Sequence, residues 1–447
     1  MRKLRGMANS SDTQPQITHQ RVLALALPIL AANVTVPILG AVDTAVVGQM
    51  AEAAPIGAVG IGAIILSAVY WVFGFLRMGT TGLVSQARGA RNRDETINLL
   101  ARALLMGGFA GVGLLLLQPL IFWGAFRLAP ASAEVETLAT SYMRIRIWSA
   151  PAAIMLYGLT GWLIAMERTR AVLALQLLMN GLNIGFDLWF VLGFGCGVNG
   201  VAFATLLAEW GGLAFGLWIV REQLRETVWR RKENLLNRQA LRTMGVVNFD
   251  ILIRSLLLQA IFVSFLFISA DFGDVTLAAN QVLVQFLSIC AYALDGFAYA
   301  AQSLVGQAFG ARDPGGVRRT AQMTSLWAVI ATLLLVGAFG FGGSSLIDYM
   351  TNAQDVRAEA RVYLPYLVVS PILALAAYMM DGIFIGATRS RDMRQMMQVS
   401  FAIYALAAWG LTQTLGNHGL WLALIVSLVA RGLTLAARYP ALERAAE

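Results

Sequence analysis

The sequence is dominated by long apolar stretches separated by short basic loops. Of the 447 residues, 58% are hydrophobic and only 13% are charged, whereas about a quarter of the residues of an ordinary soluble protein are charged. At roughly 20 apolar residues per crossing, the stretches predict an all-α integral membrane protein with twelve transmembrane helices and no separate catalytic domain. The predicted spans cover, to within several residues, 22–47, 57–80, 97–122, 137–160, 170–193, 199–221, 243–269, 276–304, 320–344, 361–385, 396–414 and 419–437.

The basic residues predict the orientation of these spans. If the N-terminus is cytoplasmic, that side of the membrane has 25 Lys and Arg residues, and the other side has only Arg127, Arg357 and Arg361. Because basic residues accumulate in cytoplasmic loops, we expect both termini to lie in the cytoplasm. The net charge of +8 is then a topology signal, and we expect no nucleic-acid partner.

The chain contains an internal repeat. The segment from Val84 to Arg91 recurs from Val305 to Arg312, an offset of 221 residues, and Gly161-Trp-Leu-Ile matches Gly382-Ile-Phe-Ile at the same offset. Since six spans are an even number, the two halves enter the membrane in the same sense, and a transporter of two parallel pseudo-symmetric lobes follows. We expect a cytoplasmic tail at 1–21, an N-lobe at 22–221, an inter-lobe loop at 222–242, a C-lobe at 243–437 and a second tail at 438–447.

Several kinds of chemistry are excluded by missing residues. Neither of the two lysines stands in the Gly-Lys-Ser/Thr context of a nucleotide-binding loop. Two cysteines and two histidines are too few for a Cys/His metal site or a histidine proton relay. We therefore expect no catalytic residues, metal site or cofactor, and we expect carboxylates to carry any coupling ion.

Acidic and polar residues within the N-lobe spans form one candidate site. Asn183 and Asp187 are four residues apart on the fifth span and therefore share a helix face. Asp43 on the first span, Tyr142 on the fourth and Thr205 on the sixth fall at a similar depth. Because charged groups in hydrocarbon are costly and paired carboxylates raise each other's pKa, this set could bind H⁺ or Na⁺.

Less specific explanations exist for these residues. Asp43 could cap a helix break, and Asp187 could line a water-filled cavity without binding an ion. Pro28 and Pro37 are predicted to bend the first span because proline removes a backbone donor. Such a bend could be static, or it could change when Asp43 is protonated.

A second polar cluster is predicted in the C-lobe at the depth of the inner leaflet. It comprises Asp250 and Arg254 on the seventh span, Asp295 on the eighth and Asp381 on the tenth. Arg254 is expected to pair with an acid, and a structural salt-bridge network is as plausible as a substrate site. The repeat is chemically asymmetric, because Ser264, Tyr404 and Ala408 stand at the positions that correspond to Asp43, Asn183 and Asp187.

Four segments carry a resemblance to a known family. They are Phe-Leu-Arg-Met-Gly-Thr-Thr-Gly at 75–82, Asn-Phe-Asp-Ile at 248–251, Ala-Leu-Asp-Gly-Phe-Ala-Tyr-Ala at 293–300 leading into Gly-Gln-Ala, and Asp-Gly-Ile-Phe-Ile-Gly-Ala-Thr at 381–388. With these segments the chain resembles the multidrug and toxic compound extrusion (MATE) family, in particular its DinF-like branch, over essentially everything after residue 20.

The resemblance implies an exporter of cationic, amphipathic drugs that is driven by H⁺ or Na⁺ through alternating access. In DinF-like members an N-lobe cation site is built from the residue types present here at Asp43, Asn183, Asp187, Tyr142 and Thr205. The family's first-helix proline matches Pro28. A C-lobe site used in another branch resembles Asp250 and Asp381, and Arg254 is expected to neutralise it.

We therefore expect a multidrug antiporter that spans the bacterial inner membrane as a monomer surrounded by lipid and exchanges small organic cations for H⁺ or Na⁺. Three alternatives stay open. The first is a flippase for lipid-linked precursors, although the mapped N-lobe site is acidic, whereas a phosphate ligand needs arginines. The second is an intramembrane aspartyl hydrolase that uses Asp250 with Asp295, and the third is a passive channel.

Overall fold

The computed structural model describes residues 16–49, 53–128 and 132–447. The side chains at 36–39, 41, 43, 44, 53, 128, 230 and 232 also lie outside the described part. Asp43, predicted in the N-lobe site, and Pro37, predicted to bend the first span, belong to this group. For these two residues only their position in the first helix is described.

Within the described residues, the N-terminal half is built from nine helices. Short 3₁₀ turns at Val72–Gly74 and Ile147–Ser149 join two helix pairs into single spans, and a π-helical turn at Leu188–Gly193 extends another. The helices are α1 (His19–Gly48), α2 (Ala53–Trp71), α3 (Phe75–Gly89), α4 (Arg93–Leu116), α5 (Gln118–Leu128), α6 (Ala133–Arg146), α7 (Ala150–Ala165), α8 (Thr169–Asp187) and α9 (Gly197–Ile219).

The C-terminal half follows two short connecting helices and contains six long ones. The connecting helices α10 (Arg221–Arg225) and α11 (Lys232–Leu235) flank a 3₁₀ turn at Val228–Arg230. The long helices are α12 (Arg238–Ala270), α13 (Asp274–Gly310), α14 (Pro314–Met350), α15 (Gln354–Gly386), α16 (Ser390–Leu415) and α17 (Asn417–Arg444).

Helices lie at all twelve predicted spans, and the all-α membrane fold is confirmed. Ten spans in the described part of the chain are long and apolar enough to cross a bilayer, and the other two helices, α1 and α16, have 30 and 26 residues. Several helices continue beyond the predicted bounds. In particular, α17 reaches Arg444, so most of the predicted C-terminal tail is helical, and α12 begins at Arg238 within the predicted inter-lobe loop.

The repeat predicted from sequence is visible in the backbone. Arg91 and Arg312, 221 residues apart, both adopt left-handed φ angles of 56°. The residues that follow them, Asn92 and Asp313, each cap the next helix by accepting a hydrogen bond from the backbone N–H three residues later, at 3.0 and 2.9 Å. In the described chain the other left-handed non-glycine residues are again a related pair, Glu167 and Thr388.

α1 packs against both lobes. Its first turns place Val22 and Leu25 in an apolar core with Leu294 and Phe297 of α13, whereas further along it lies against α8. Proline at position 28 cannot donate to the carbonyl oxygen of Ala24, and the Thr169 hydroxyl donates to that oxygen instead, at 3.1 Å. α1 is therefore anchored in the C-lobe at one end and on α8 along its length.

The face that carries most of the arginines, hereafter the basic face, holds a close contact between the lobes. The side-chain amide of Gln86 in α3 donates to the Thr388 hydroxyl at 2.9 Å. In the repeat-related contact, Gln307 in α13 donates to the Glu167 carboxylate at 2.9 Å. Each lobe therefore donates a hydrogen bond to the other from a glutamine at the equivalent position of the repeat.

Two glycines bring the backbones together beside these glutamines. A Cβ atom on Gly89 would lie 2.0 Å from the carbonyl oxygen of Gln307, and one on Gly310 would lie 2.1 Å from that of Gln86. Only glycine fits at such a distance. We call Gln86, Gly89, Gln307 and Gly310 the lobe contact.

Candidate functional site

Four of the five residues predicted to form the N-lobe site have described side chains, and they come from neighbouring helices. The amide of Asn183 in α8 donates to the Thr205 hydroxyl of α9 at 3.1 Å, and that hydroxyl donates to the Val201 carbonyl oxygen. Asn183 is 1% exposed and Asp187 is fully buried. A buried carboxyl group therefore lies one helical turn from a fixed amide and hydroxyl pair.

The backbone changes form directly after Asp187. α8 ends there, and a π-helical turn follows from Leu188 to Gly193. The related helix of the C-lobe, α16, continues to Leu415 without such a turn. Single π-helical turns are rare and occur frequently at functional sites, so both the acid and the local backbone distinguish this lobe from its repeat.

Tyr142 lies on the neighbouring wall of the N-lobe. It is 3% exposed, and its ring packs on Gly62 of α2, where an added Cβ would lie 2.6 Å from the ring. One turn further along, Arg146 forms a bidentate ion pair with Glu209 of α9, at 2.7 and 3.0 Å. This ion pair was not predicted, although Glu209 follows Thr205 by one turn on the same apolar span.

Asp43, the fifth predicted residue, lies in α1 with its side chain outside the described part of the structure. The C-lobe shows the equivalent pair of helices. There the hydroxyl of Ser264, which corresponds to Asp43, donates to the hydroxyl of Tyr404, which corresponds to Asn183, at 3.2 Å. In the N-lobe the described hydrogen bonds between the same helices are the one from Thr169 to Ala24 and, nearer Asp43, a weak one from Asn180 to the carbonyl oxygen of Thr35 at 3.4 Å.

Asn180 was missed at the sequence level. It precedes Asn183 by three residues and therefore extends the polar face of α8 by one turn. The spacing alone could have identified it.

The predicted C-lobe cluster is divided in the structure. Arg254 pairs with Asp381, as expected for a buried arginine, and Arg431 of α17 lies 3.9 Å from the same carboxylate. Asp250 is held separately by Arg394 at 2.8 Å and by the Ser390 hydroxyl at 2.9 Å. The two acids therefore have different cationic partners, of which only Arg254 was predicted.

Asp295 lies at the junction of the two lobes. It interacts electrostatically with Arg77 of α3 as well as with Arg254 and Asp381. The Arg77 guanidinium lies over the ring of Tyr299, 4.8 Å from its centroid. The charges of the C-lobe cluster thus interact electrostatically with Arg77 of the N-lobe.

A third polar group, which sequence analysis did not predict, supports the lobe contact. Glu167 accepts from Arg21 Nε at 2.9 Å and lies 3.2 Å from Arg88. Burial alone would raise the pKa of Glu167, but the hydrogen bond from Arg21 and the charge of Arg88 outweigh it and lower the pKa below the usual 4.5. Glu167 is therefore ionised at neutral pH and fixed at the lobe contact.

A comparison with protein families matches the description MatE over residues 28–189 and 251–409. Among individual relatives, the DNA damage-inducible protein F of Escherichia coli strain K12 is 39% identical over 92% of this chain and 90% of its own length. A probable multidrug resistance protein NorM of Xanthomonas campestris is 26% identical over 93% of this chain and 92% of its own length.

Solved structures share the fold over nearly the whole chain. The Vibrio cholerae MATE transporter VcmN in the bent form has a TM-score of 0.86 at 20% identity and covers 96% of this chain and 97% of its own. A transporter of the MOP superfamily from Pyrococcus furiosus, described as having a binding pocket of reverse polarity, has a TM-score of 0.87 at 17% identity, with 96% and 97% covered.

Proposed function

Because the chain belongs to the MatE family of membrane transporters, we propose that it exports cationic, amphipathic organic compounds from a bacterial cell in exchange for H⁺ or Na⁺. Members of this family are transporters and not enzymes, so an aspartyl hydrolase is excluded. The proposal concerns the substrate, the ion and the residues that couple them.

The observation that carries the proposal is the burial of Asp187 beside Asn183 and Thr205. A charged carboxylate at such a fully buried position in an apolar helix bundle is costly, so protonation or a bound cation would stabilise it. Nearby amide and hydroxyl oxygens are ligands suited to Na⁺, and a second carboxylate would favour a shared proton. The C-lobe has Ala408 at the corresponding position, so coupling is assigned to the N-lobe alone.

We assign Asp43 to this site from its position in α1, which packs along α8. The hydrogen bond between Ser264 and Tyr404 supports the assignment, because it joins the corresponding positions of the C-lobe. Pro28 and Pro37 are proposed to let α1 bend when the acid changes its charge, and a relative of the same fold is described in a bent form.

The lobe contact fits an alternating-access cycle. The basic face, which we assign to the cytoplasm with both termini, is closed by backbone contacts at Gly89 and Gly310. A cation would then reach the N-lobe site from outside, favour release of the drug, and be delivered to the cytoplasm when the lobes rock. One charge that moves across 100 mV supplies about 2.3 kcal/mol.

The test is efflux of a fluorescent organic cation from loaded proteoliposomes, with a proton gradient and a sodium gradient imposed separately. We expect efflux from the wild type under one of them, and no coupled efflux from Asp43→Asn or Asp187→Asn. Asp271→Asn, an exposed acid in the turn after α12, is the matched control and should transport normally.

Normal gradient-driven efflux by folded Asp43→Asn and Asp187→Asn proteins would refute the site. Efflux driven only by sodium would select Na⁺ as the coupling ion. Absence of efflux under both gradients would contradict drug export and favour the flippase alternative. Gradient-independent flux would indicate a passive channel.

A further inference from the structure

Two grooves on the basic face are related by the sequence repeat. The N-lobe groove, of about 420 Å³, lies between α1 and the turn from α7 to α8 and contains Arg21, Arg168 and Arg170. The C-lobe groove, of about 620 Å³, lies between α12 and the turn from α15 to α16. Its arginines at the corresponding positions, each 221 residues later, are Arg242, Arg389 and Arg391.

One substitution between the repeats gives Arg21 and Arg242, which occupy corresponding positions in the two grooves, different surroundings. In the N-lobe groove, Glu167 forms an ion pair with Arg21. In the C-lobe groove the corresponding residue is Thr388, a neutral side chain that accepts a hydrogen bond from Gln86. Arg242 therefore has no acidic residue at the position that corresponds to Glu167, the partner of Arg21.

The acids that do line the C-lobe groove are already neutralised. Asp250 is held by Arg394 at 2.8 Å, and Asp392 is held by Arg389 at 2.9 Å with Arg438 at 3.8 Å. Within the described residues, the guanidinium groups of Arg242 and Arg391 form no ion pair or hydrogen bond. The groove thus presents two exposed cations that have no acidic partner among the described residues.

The C-lobe groove is continuous with an apolar surface. Val246, which lines it, is 53% exposed, and Phe249, on the same side of α12 and one turn further into the span, is 54% exposed. An anion bound at the arginines would therefore have apolar side chains next to it on the bilayer side. This geometry fits an amphipathic ligand and gives a free inorganic anion no added contact.

We propose that the C-lobe groove binds the phosphate group of an anionic phospholipid headgroup, with an acyl chain lying along Val246 and Phe249. Basic pockets between helix ends at the membrane surface have the charge and position for this chemistry, and two arginines can donate several charge-assisted hydrogen bonds to one phosphate. The site is separate from the ion-coupling residues, and its occupation does not depend on the transported substrate.

The test is binding of fluorescent phosphatidylglycerol and phosphatidylcholine to the purified, delipidated full-length protein in detergent. We expect tighter binding of phosphatidylglycerol and a loss of about tenfold to thirtyfold in Arg242→Gln/Arg391→Gln. Arg168→Gln/Arg170→Gln removes the same charge from the N-lobe groove and is the matched control, with less than a threefold change expected. Thermal unfolding of each variant checks the fold.

Four results would overturn the proposal. They are equal affinity for the two lipids, unchanged phosphatidylglycerol binding in the folded Arg242→Gln/Arg391→Gln variant, an equal loss in the control variant, and full displacement of the lipid by inorganic phosphate at matched concentration. The last result would identify a free-anion site. If the double variant does not fold, Val246→Asp, which places a negative charge in the groove, is expected to reduce phosphatidylglycerol binding selectively, and unchanged binding would refute the proposal.

Discussion

Replacing Gly89 or Gly310 by alanine should open the basic face of the transporter. The Cβ of Gly89→Ala would lie 2.0 Å from the carbonyl oxygen of Gln307, and that of Gly310→Ala 2.1 Å from the oxygen of Gln86. Both opposing atoms belong to the backbone of the other lobe, so no side-chain rotation relieves the overlap. Ordinary contact requires the lobes to separate by more than about 1 Å.

The size of the effect follows from the cost of overpacking. Extra methyl groups in packed interiors cost about 1–3 kcal/mol, which is about a fivefold to 150-fold change in the equilibrium between closed and open lobes. The two substitutions should act alike, because their contacts are related by the repeat. Gly113→Ala in α4, where an added Cβ meets nothing within 4 Å, should have no such effect.

The assay is a distance measurement between spin labels on the two lobes. Cys196 and Cys290, the free thiols, would first be replaced by serine and alanine, and labels attached at Asp94 and Arg318, which are exposed on this face. We expect Gly89→Ala and Gly310→Ala to increase the population with long distances. Distance distributions identical to those of the parent, or an equal shift in Gly113→Ala, would refute the reasoning.

Three further predictions concern stability. Glu167 has a lowered pKa, so its carboxylate stabilises the fold above about pH 4.5 and loses that effect as the pH falls through the folded-state pKa. The thermal unfolding temperature of Glu167→Gln should therefore vary less with pH below about 4.5 than that of the wild type, and a pH profile identical to the wild type's would contradict this. Asn280 is buried and accepts a hydrogen bond from Trp421 at 2.8 Å, so Asn280→Ala should lower stability by about 3 kcal/mol in denaturant titration, whereas a loss below about 1 kcal/mol would show that water replaces it. Arg146→Met leaves Glu209 buried without its partner and should lower the free energy of unfolding by about 3–5 kcal/mol, and adding Glu209→Leu should restore most of that loss. A double variant as unstable as the single one would contradict the assignment of the loss to an unpaired Glu209.

Short-range geometry supports only part of the proposed N-lobe site. Asn183 and Asp187 are one helical turn apart, and any helix places them on one face. Tyr142 and Thr205, on other helices, were grouped with them by predicted depth, and the MATE resemblance, since confirmed by the family comparison, implies the same set. The hydrogen bond between Asn183 and Thr205 agrees with that grouping.

The pairing of charges could not be predicted in the same way. Arg254 was expected to have an acidic partner, but nothing local decides between Asp250 on its own helix and Asp381 on another. In the structure Arg254 pairs with Asp381. Arg394, which lies between the predicted spans 361–385 and 396–414, pairs with Asp250. Such choices depend on how helices are placed side by side, which hydropathy does not encode.

The helix ends were also less predictable than the helices. Hydropathy falls where a helix leaves the bilayer, but backbone hydrogen bonding does not, and α17 therefore continues to Arg444 beyond its apolar span. The left-handed turns at Arg91 and Arg312 carry no glycine signal. Their equivalence was evident only from the repeat.

The two edges of the lobe contact differ in one chemical respect. At one edge the glutamine meets the ionised Glu167, itself held by Arg21 and Arg88, and at the other it meets the neutral hydroxyl of Thr388. The charged groups at the first edge, Glu167, Arg21 and Arg88, all belong to the N-lobe, and Gln307 of the C-lobe is neutral. A substitution that removes the Glu167 charge would therefore alter one edge of the lobe contact and leave the Thr388 edge as it is.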